Sequence, residues 1–190
     1  MRVGHLAPYL PDESWFRFAP RGIHGAPHTS RVLIWADRLA RIIGPSGALR
    51  GEELRWAAAV HDVGRMDDGI DRGHGARSAA WVVERLPELR GETRALDLGF
   101  IAELCRWHET RDDEIERLSL ELVILKDADA LDRCRLGDLD PERLRLSRAR
   151  TLVAPAERLE RRSQDYGRVT AVEVLKAAEA MSTGDWEASG

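Results

Sequence analysis

Long apolar runs and cysteines are scarce in this 190-residue sequence, and their scarcity excludes several classes of protein. None of its apolar stretches approaches the roughly 20 residues that a membrane-spanning helix needs. The N-terminus has Pro, Asp and Glu where a secretory signal requires an unbroken apolar segment, so we expect a cytoplasmic protein with no membrane partner. The two cysteines, Cys105 and Cys134, provide neither a disulfide framework nor a C-x-x-C metal site.

An excess of positive charge is also missing. The formal net charge is −4, which argues against a nucleic-acid partner. The segment 143–162 departs from this average, with seven arginines against two acidic residues. It fits either a site for a phosphate-bearing ligand or a solvated helix surface. The sequence has no glycine-rich phosphate loop.

Alternating apolar and polar residues, the pattern of strands, do not form a run long enough to predict a sheet. Hydrophobic residues make up 43% of the chain and charged residues 33%, which is typical of a globular protein. We therefore predict an all-α fold in one domain over residues 1–190. We divide it into an irregular N-terminal arm (1–27), a core (28–135) and C-terminal helices (136–190).

Apolar spacings of three and four residues predict the individual helices. The first begins at Pro27-His28 and stops at Gly44-Pro45, and the second runs from about Glu52 to a C-cap glycine, Gly64. The remaining predictions are helices over 76–86, ending before Pro87, over 93–109 and over 115–131, with two or three more in 141–182.

Two of these helices carry residues suited to metal chemistry. His61 and Asp62 follow an apolar run at the end of the second helix, so their side chains project into the loop region, where functional residues concentrate. Asp129 lies between Ala128 and Ala130 in an apolar helical pattern and faces largely inward. A buried aspartate is costly unless it is compensated, and a metal is one way to do so. Its neighbours Asp127 and Asp132 are read as surface charges.

His28 at a helix start, His61-Asp62 and Asp129 together resemble the H…HD…D motif of the HD-domain superfamily. The matching segments are IHGAPHTSRV, AAAVHDVGR and LKDADALDR, and the resemblance covers residues 24–135. It implies a helix bundle whose ligands converge on one cleft. Imidazole and carboxylate donors suit Mn, Fe, Co, Ni or Zn better than calcium.

The number of metals depends on two more histidines. By resemblance, His74 and His108 complete a second metal site, and Asp62 bridges two ions; otherwise both histidines are bystanders. His24, four residues before His28, competes with it for the role of first ligand.

The resemblance implies a phosphohydrolase acting on a small phosphorylated substrate, a nucleotide or related compound, through metal-activated hydroxide. Asp62, Arg65 and Lys126 are the catalytic candidates, and Arg31 and Lys126 are the candidates for phosphate contact. For each cation the alternative is pairing with a nearby carboxylate.

Trp107 is a candidate to stack on a base, with a core role as the alternative. Asp67, Asp68 and Asp71 are candidates for a general acid, or else turn residues. The same ligands also suit a mixed-valence di-iron oxygenase or a non-catalytic metal or nucleotide sensor, and the oligomeric state is left open.

Overall fold

The computed structural model describes residues 2–44, 49–90, 96–164 and 167–186. These residues form helices and no β-strand, so the predicted all-α fold is confirmed. The α-helices of the described part are α1 (Ala26–Ile43), α2 (Gly51–Val60), α3 (His74–Arg90), α4 (Leu98–Trp107), α5 (Leu120–Leu131), α6 (Ser147–Arg150), α7 (Val153–Arg162) and α8 (Ala171–Glu179). Within the described ranges, no helix combines the length and the apolar character needed to cross a bilayer.

Helix α1 lies at the centre of the bundle and packs against α2, α5 and α8. It begins after Gly25 with Pro27 in its first turn, where the missing N–H removes no helical hydrogen bond. It ends where the N–H of Gly44 donates to the carbonyl of Ala40. Because nearly every side chain along α1 is buried, the first turn, which carries His28, is held inside the protein.

Helix α3 differs from the sequence-based prediction at both ends. It begins at His74 instead of Ala76 and runs through Pro87 to Arg90 instead of stopping at Leu86. A proline inside a helix frees the carbonyl four residues earlier, here that of Val83. Val83 and Pro87 are both exposed, so water can satisfy this carbonyl at little cost.

A capping side chain fixes the start of α4 at Leu98 and that of α5 at Leu120, and α5 thus begins later than predicted. Asp97 accepts a hydrogen bond from the N–H of Phe100, and Ser119 accepts one from the N–H of Leu122. The start that we predicted for α4, at Thr93, lies outside the described residues. A 3-10 turn over Asp112–Glu114 precedes the predicted beginning of α5, and residues 115–119 belong to no helix.

Two positions near the site require glycine because backbones approach closely there, and not because a helix needs a cap. Helix α2 ends at Val60, and Gly64 lies beyond it, where a Cβ would be 2.5 Å from the N atom of Ser78 in α3. The predicted C-cap role of Gly64 is therefore wrong. A Cβ on Gly75 would be 2.6 Å from the carbonyl oxygen of Cys105. Both glycines let α3 lie directly against its neighbours.

The N-terminal arm is more ordered than an irregular segment. It contains two 3-10 helices, Gly4–Tyr9 and Glu13–Trp15, and Val3 and Leu6 are fully buried. One hydrophobic cluster includes these residues and extends to Trp186. The division of the chain into arm, core and C-terminal helices stays a prediction.

Candidate metal centre

Six side chains from five separate parts of the chain converge at one place, which we call the His/Asp cluster. Its members are His28 (first turn of α1), His61 and Asp62 (directly after α2), His74 (start of α3), His108 (directly after α4) and Asp129 (α5). Five of them are at most 7% exposed, whereas the side chain of Asp129 is 36% exposed. All six predicted ligands are thus brought together, and the cluster is open to solvent at Asp129.

The first half of the cluster is formed by His28, His61, Asp129 and one oxygen of Asp62. The Nε2 atom of His28 lies 3.3 Å from Nε2 of His61 and 3.3 Å from Oδ1 of Asp129. The Oδ2 atom of Asp62 lies 3.6 Å from Nε2 of His28 and 3.9 Å from Nε2 of His61. Nε2 of His28 therefore lies within 3.6 Å of the three other donor atoms.

The second half is formed by His74, His108 and the other oxygen of Asp62. The Nε2 atoms of the two histidines are 3.0 Å apart. Oδ1 of Asp62 lies 3.1 Å from Nε2 of His74 and 3.5 Å from Nε2 of His108. One carboxylate thus presents Oδ2 to the first half and Oδ1 to the second.

Hydrogen bonds at the far side of each ring orient the four imidazoles. The Nδ1–H groups of His61 and His108 donate to the carbonyls of Ala58 and Cys105, at 2.9 and 2.7 Å. Those of His28 and His74 donate to the Asp132 carboxylate and to the Asp71 carbonyl, both at 2.7 Å. With the proton on Nδ1, each ring turns the lone pair of Nε2 into the cluster, which is the tautomer that a metal ligand needs.

Electrostatics shows that the cluster suits a cation. Two neutral Nε2 lone pairs that face each other at 3.0 or 3.3 Å repel unless positive charge lies between them. Complete burial lowers the pKa of His61 to about 3, so this ring is neutral at physiological pH. Although burial opposes it, the surrounding histidines hold the pKa of Asp62 well below its ordinary value.

Two observations show that the cluster fits a divalent metal: a buried carboxylate oxygen without a hydrogen-bond partner among the described residues, and the distances between the donor atoms. Oδ1 of Asp62 is buried and has no hydrogen-bond partner among the described residues. Two donors that each lie ~2.1 Å from a metal are separated by roughly 3.0 to 3.5 Å, depending on the coordination angle. The donor separations of 3.0 to 4.0 Å match this range or slightly exceed it. Both halves therefore fit a divalent ion.

His24 joins the cluster rather than replacing His28. Its Nδ1 lies 3.1 Å from Oδ2 of Asp62, and its Nε2 accepts a hydrogen bond from Arg65 at 3.2 Å. Burial lowers the pKa of His24, so the ring is neutral and donates to the carboxylate. His24 and Arg65 together hold Asp62 from the side opposite the second histidine pair.

Arg31 is buried and paired instead of facing a substrate. It is 1% exposed and its Nε donates to Asp132 at 2.6 Å, with a second contact from Nη2 at 3.1 Å. Asp132 is fully buried, so reading it as a surface charge was wrong. Asp127 is fully buried as well and accepts from the N–H groups of Arg145 and Leu146. The predicted contact of Arg31 with phosphate is not supported by this placement.

Lys126 also has protein partners. It is 5% exposed, and its Nζ donates to the carbonyl of Thr110 and, at 2.9 Å, to Asp112. Arg145 binds the same carboxylate at 2.7 Å. These contacts hold the segment after His108 against α5 and agree with the alternative of carboxylate pairing, whereas a contact of Lys126 with substrate stays a prediction.

Arg65 is the predicted cation that stays beside the cluster. Its Nη1 lies 3.2 Å from Nδ1 of His74, and its Nη2 donates to the carbonyl of Gly69 at 3.0 Å.

Three acidic residues in the loop after Arg65 were candidates for a general acid. Asp67 and Asp71 accept from backbone N–H groups within the loop and serve as turn residues, whereas Asp68 is exposed.

Glu109 is a site residue that the sequence did not reveal. One of its oxygens lies 3.1 Å from Nδ1 of His74, and the other accepts from the N–H of Gly75 at 2.8 Å. It follows His108 in the chain but supports a different histidine. Only the packing of α3 against α4 creates this contact, and no local pattern encodes it.

Two cavities flank the second half of the cluster. A cavity of about 880 Å³, which we call cavity A, reaches His74 and Arg65, and one of about 780 Å³, cavity B, reaches His108 and Lys126. The residues 109–111 line both and separate them. The cluster is therefore accessible from spaces large enough for a small organic ligand.

The comparisons with known proteins agree with this geometry. The HD domain family matches residues 25–134, which is more than half of the chain and includes all six cluster residues. Neither the curated proteins nor the solved structures compared with the chain gave a match. A family match of this extent, together with the cluster, means that the chain belongs to the HD domain family, a superfamily of metal-dependent phosphohydrolases.

Proposed function

We propose that this protein hydrolyses a phosphate ester of a small molecule, such as a nucleotide or a related compound, with two divalent transition metals as cofactors. The observation that carries this proposal is the division of Asp62 between two histidine pairs. A carboxylate with both oxygens committed in this way suits two ions close together. Mn, Fe, Co, Ni and Zn all accept these donors.

The charge of such a centre favours an anionic substrate. Two divalent ions bring four positive charges, and Asp62 and Asp129 bring two negative ones, so a net positive charge remains for a phosphoryl group. Bound metals would lower the pKa of a water molecule bound to them and would neutralise the negative charge of the phosphoryl oxygens.

The protein's own groups would orient these components. The exposed side of Asp129 marks the face from which a substrate enters. Arg65, held by Gly69 and His24, is the cation we place nearest the phosphoryl oxygens. The four imidazoles are at most 7% exposed, so little water surrounds them. Lys126 acts as a positioning residue through Thr110 and Asp112.

The test combines metal counting with turnover. We expect the chain, loaded anaerobically with manganese or iron, to hold two ions and to hydrolyse p-nitrophenyl phosphate or nucleotides without oxygen. A variant with His74→Ala and His108→Ala should hold one ion and lose at least about 100-fold of the turnover. His5→Ala is the control, because His5 lies outside the cluster.

Other results would point elsewhere. Turnover that requires iron and oxygen would favour an oxygenase, since iron uses the same donors. Metal and nucleotide binding without any turnover would favour a sensor. A single ion in both the wild type and the double variant would contradict the two-metal site.

Glu109 provides a finer test of the second metal position. Glu109→Gln keeps the size of the side chain but removes the negative charge from the Nδ1 side of His74. Groups that support a ligand histidine typically contribute 10- to 100-fold to metal affinity, so we expect the second ion, measured by calorimetry, to bind about tenfold more weakly. Glu114→Gln is the control, since Glu114 lines the same cavity but pairs with Arg111. Equal metal affinities in the two variants would refute this role.

A further inference from the structure

Cavities A and B have similar volumes but differ in the charge that they offer a ligand. In cavity B every cation near the cluster already has an acidic partner. Lys126 binds Asp112, Arg133 binds Asp138, and Arg145 binds Asp112 and Asp127. Arg143, at the rim, lies 3.4 Å from Asp140. Cavity B thus offers little unpaired positive charge to an anionic ligand.

Cavity A contains two arginines that have no partner among the described residues. Arg72 and Arg106 line it, are exposed, and make no hydrogen bond or ion pair with any described residue. Each stands two residues before a cluster histidine, Arg72 before His74 and Arg106 before His108. Two free guanidinium groups are therefore brought from different helix ends to one cavity beside the second half of the cluster.

The acidic residues of cavity A do not cancel this charge, because each has a partner of its own. Asp71 binds Arg77 and the N–H of Met66. Glu109 supports His74, and Glu114 lies 3.7 Å from Arg111. Among the described residues that line the cavity, Arg72 and Arg106 are the cations without an acidic partner.

Cavity A also has apolar surface. Trp107 is partly buried and lines it, and Ile70 is 91% exposed at its edge. A tryptophan face can stack on a planar ring, and guanidinium groups bind phosphate oxygens in paired hydrogen bonds. The described lining of cavity B has no Trp, Tyr or Phe.

We infer that cavity A binds the part of the substrate that does not react, and that this part contains an aromatic ring and a second anionic group. Trp107 contacts the ring, and Arg72 and Arg106 bind the anion. This inference rests on the proposed function, because it takes the reacting phosphate to lie at the His/Asp cluster.

Calorimetric titration of the manganese-loaded chain tests the inference independently of turnover. The probes are α,β-methylene ADP, which has a ring and two phosphate groups, AMP, which has a ring and one, and methylenediphosphonate, which has no ring. We expect α,β-methylene ADP to bind most tightly. The double variant Arg72→Gln, Arg106→Gln should weaken its binding about tenfold or more and bring it close to that of AMP. Arg143→Gln, in cavity B, should leave the affinity unchanged.

The ring is tested with two substitutions, since Trp107 also packs against the core. Trp107→Leu should weaken both nucleotides but not methylenediphosphonate, and Trp107→Phe should restore most of the loss. Equal affinities of the arginine double variant and the wild type, an equal loss in Arg143→Gln, or no binding of α,β-methylene ADP would each overturn the inference. Turnover of p-nitrophenyl phosphate, which has no second anion, is measured separately on the wild-type chain. Absence of that turnover in the wild type would count against the proposed function alone.

Discussion

Asp62→Asn is expected to abolish metal binding at both positions and to reduce phosphoesterase turnover by a factor of about 1,000 or more. The amide keeps the shape of the side chain but loses the charge and one of the two oxygens that face the histidine pairs. A loss of roughly 4 kcal/mol of transition-state stabilisation, which is within the range that a metal contributes, corresponds to this factor. Metal content after gel filtration and the rate with p-nitrophenyl phosphate measure the two effects.

Asp68→Asn is the matched control for this substitution. Asp68 lies six residues further along, is exposed in the loop after the HD pair, and makes no hydrogen bond or ion pair with the cluster residues. We expect wild-type metal content and turnover from it. Circular dichroism of both variants without metal should show the same helix content. If Asp62→Asn retained two ions, Asp62 would not be the bridge between the halves.

Asp132→Ala is expected to give the largest loss of stability. The carboxylate is fully buried and accepts from Arg31 at 2.6 Å and from His28 at 2.7 Å. Although burial raises its pKa, Arg31 and His28 lower it to about 2, so Asp132 is ionised. Removing it leaves the guanidinium of Arg31 buried without this counter-ion, which typically costs 3–5 kcal/mol. For a chain of this size, a fall in Tm of about 10 °C follows.

Two further variants separate the stability effect from metal binding. Asp138→Ala removes an acid from a half-exposed pair with Arg133, and we expect it to cost less than about 1 kcal/mol. The double variant Arg31→Met, Asp132→Leu removes both buried charges and should recover much of the lost stability. It should still bind the first metal weakly, because His28 lacks the acceptor for its Nδ1–H. Melting in EDTA, followed by metal titration, measures both. A double variant as unstable as Asp132→Ala would contradict this account.

The sequence was sufficient for the fold class and for the members of the His/Asp cluster. The helical spacings predicted an all-α chain, and the H…HD…D motif with His74 and His108 selected six residues that do meet. These signals are readable because a ligand at a helix end is encoded by residues next to it in the chain. Helix bounds were less accurate where one side chain decides them, as at Ser119, or where exposure makes a proline tolerable, as at Pro87.

The residues that surround the cluster could not be read in the same way. Asp132 was taken for a surface charge, yet it stands three residues after Asp129 and so shares a helix face with it, which was the available signal. Glu109 and Lys126 offered no such signal, since their partners depend on how α3, α4 and α5 pack.

What the sequence by itself determined is the set of groups that can bind a metal, because the ligands are fixed by residue type and by local helix ends. The tertiary structure alone decided which charges are free to meet a substrate. Arg31 and Lys126 are buried against carboxylates distant in the chain, whereas Arg72 and Arg106, beside cavity A, pair with no residue in the described part of the chain. The physical reason is that an ion pair depends on a distance of a few ångströms between groups, and only the packing of the helices sets that distance.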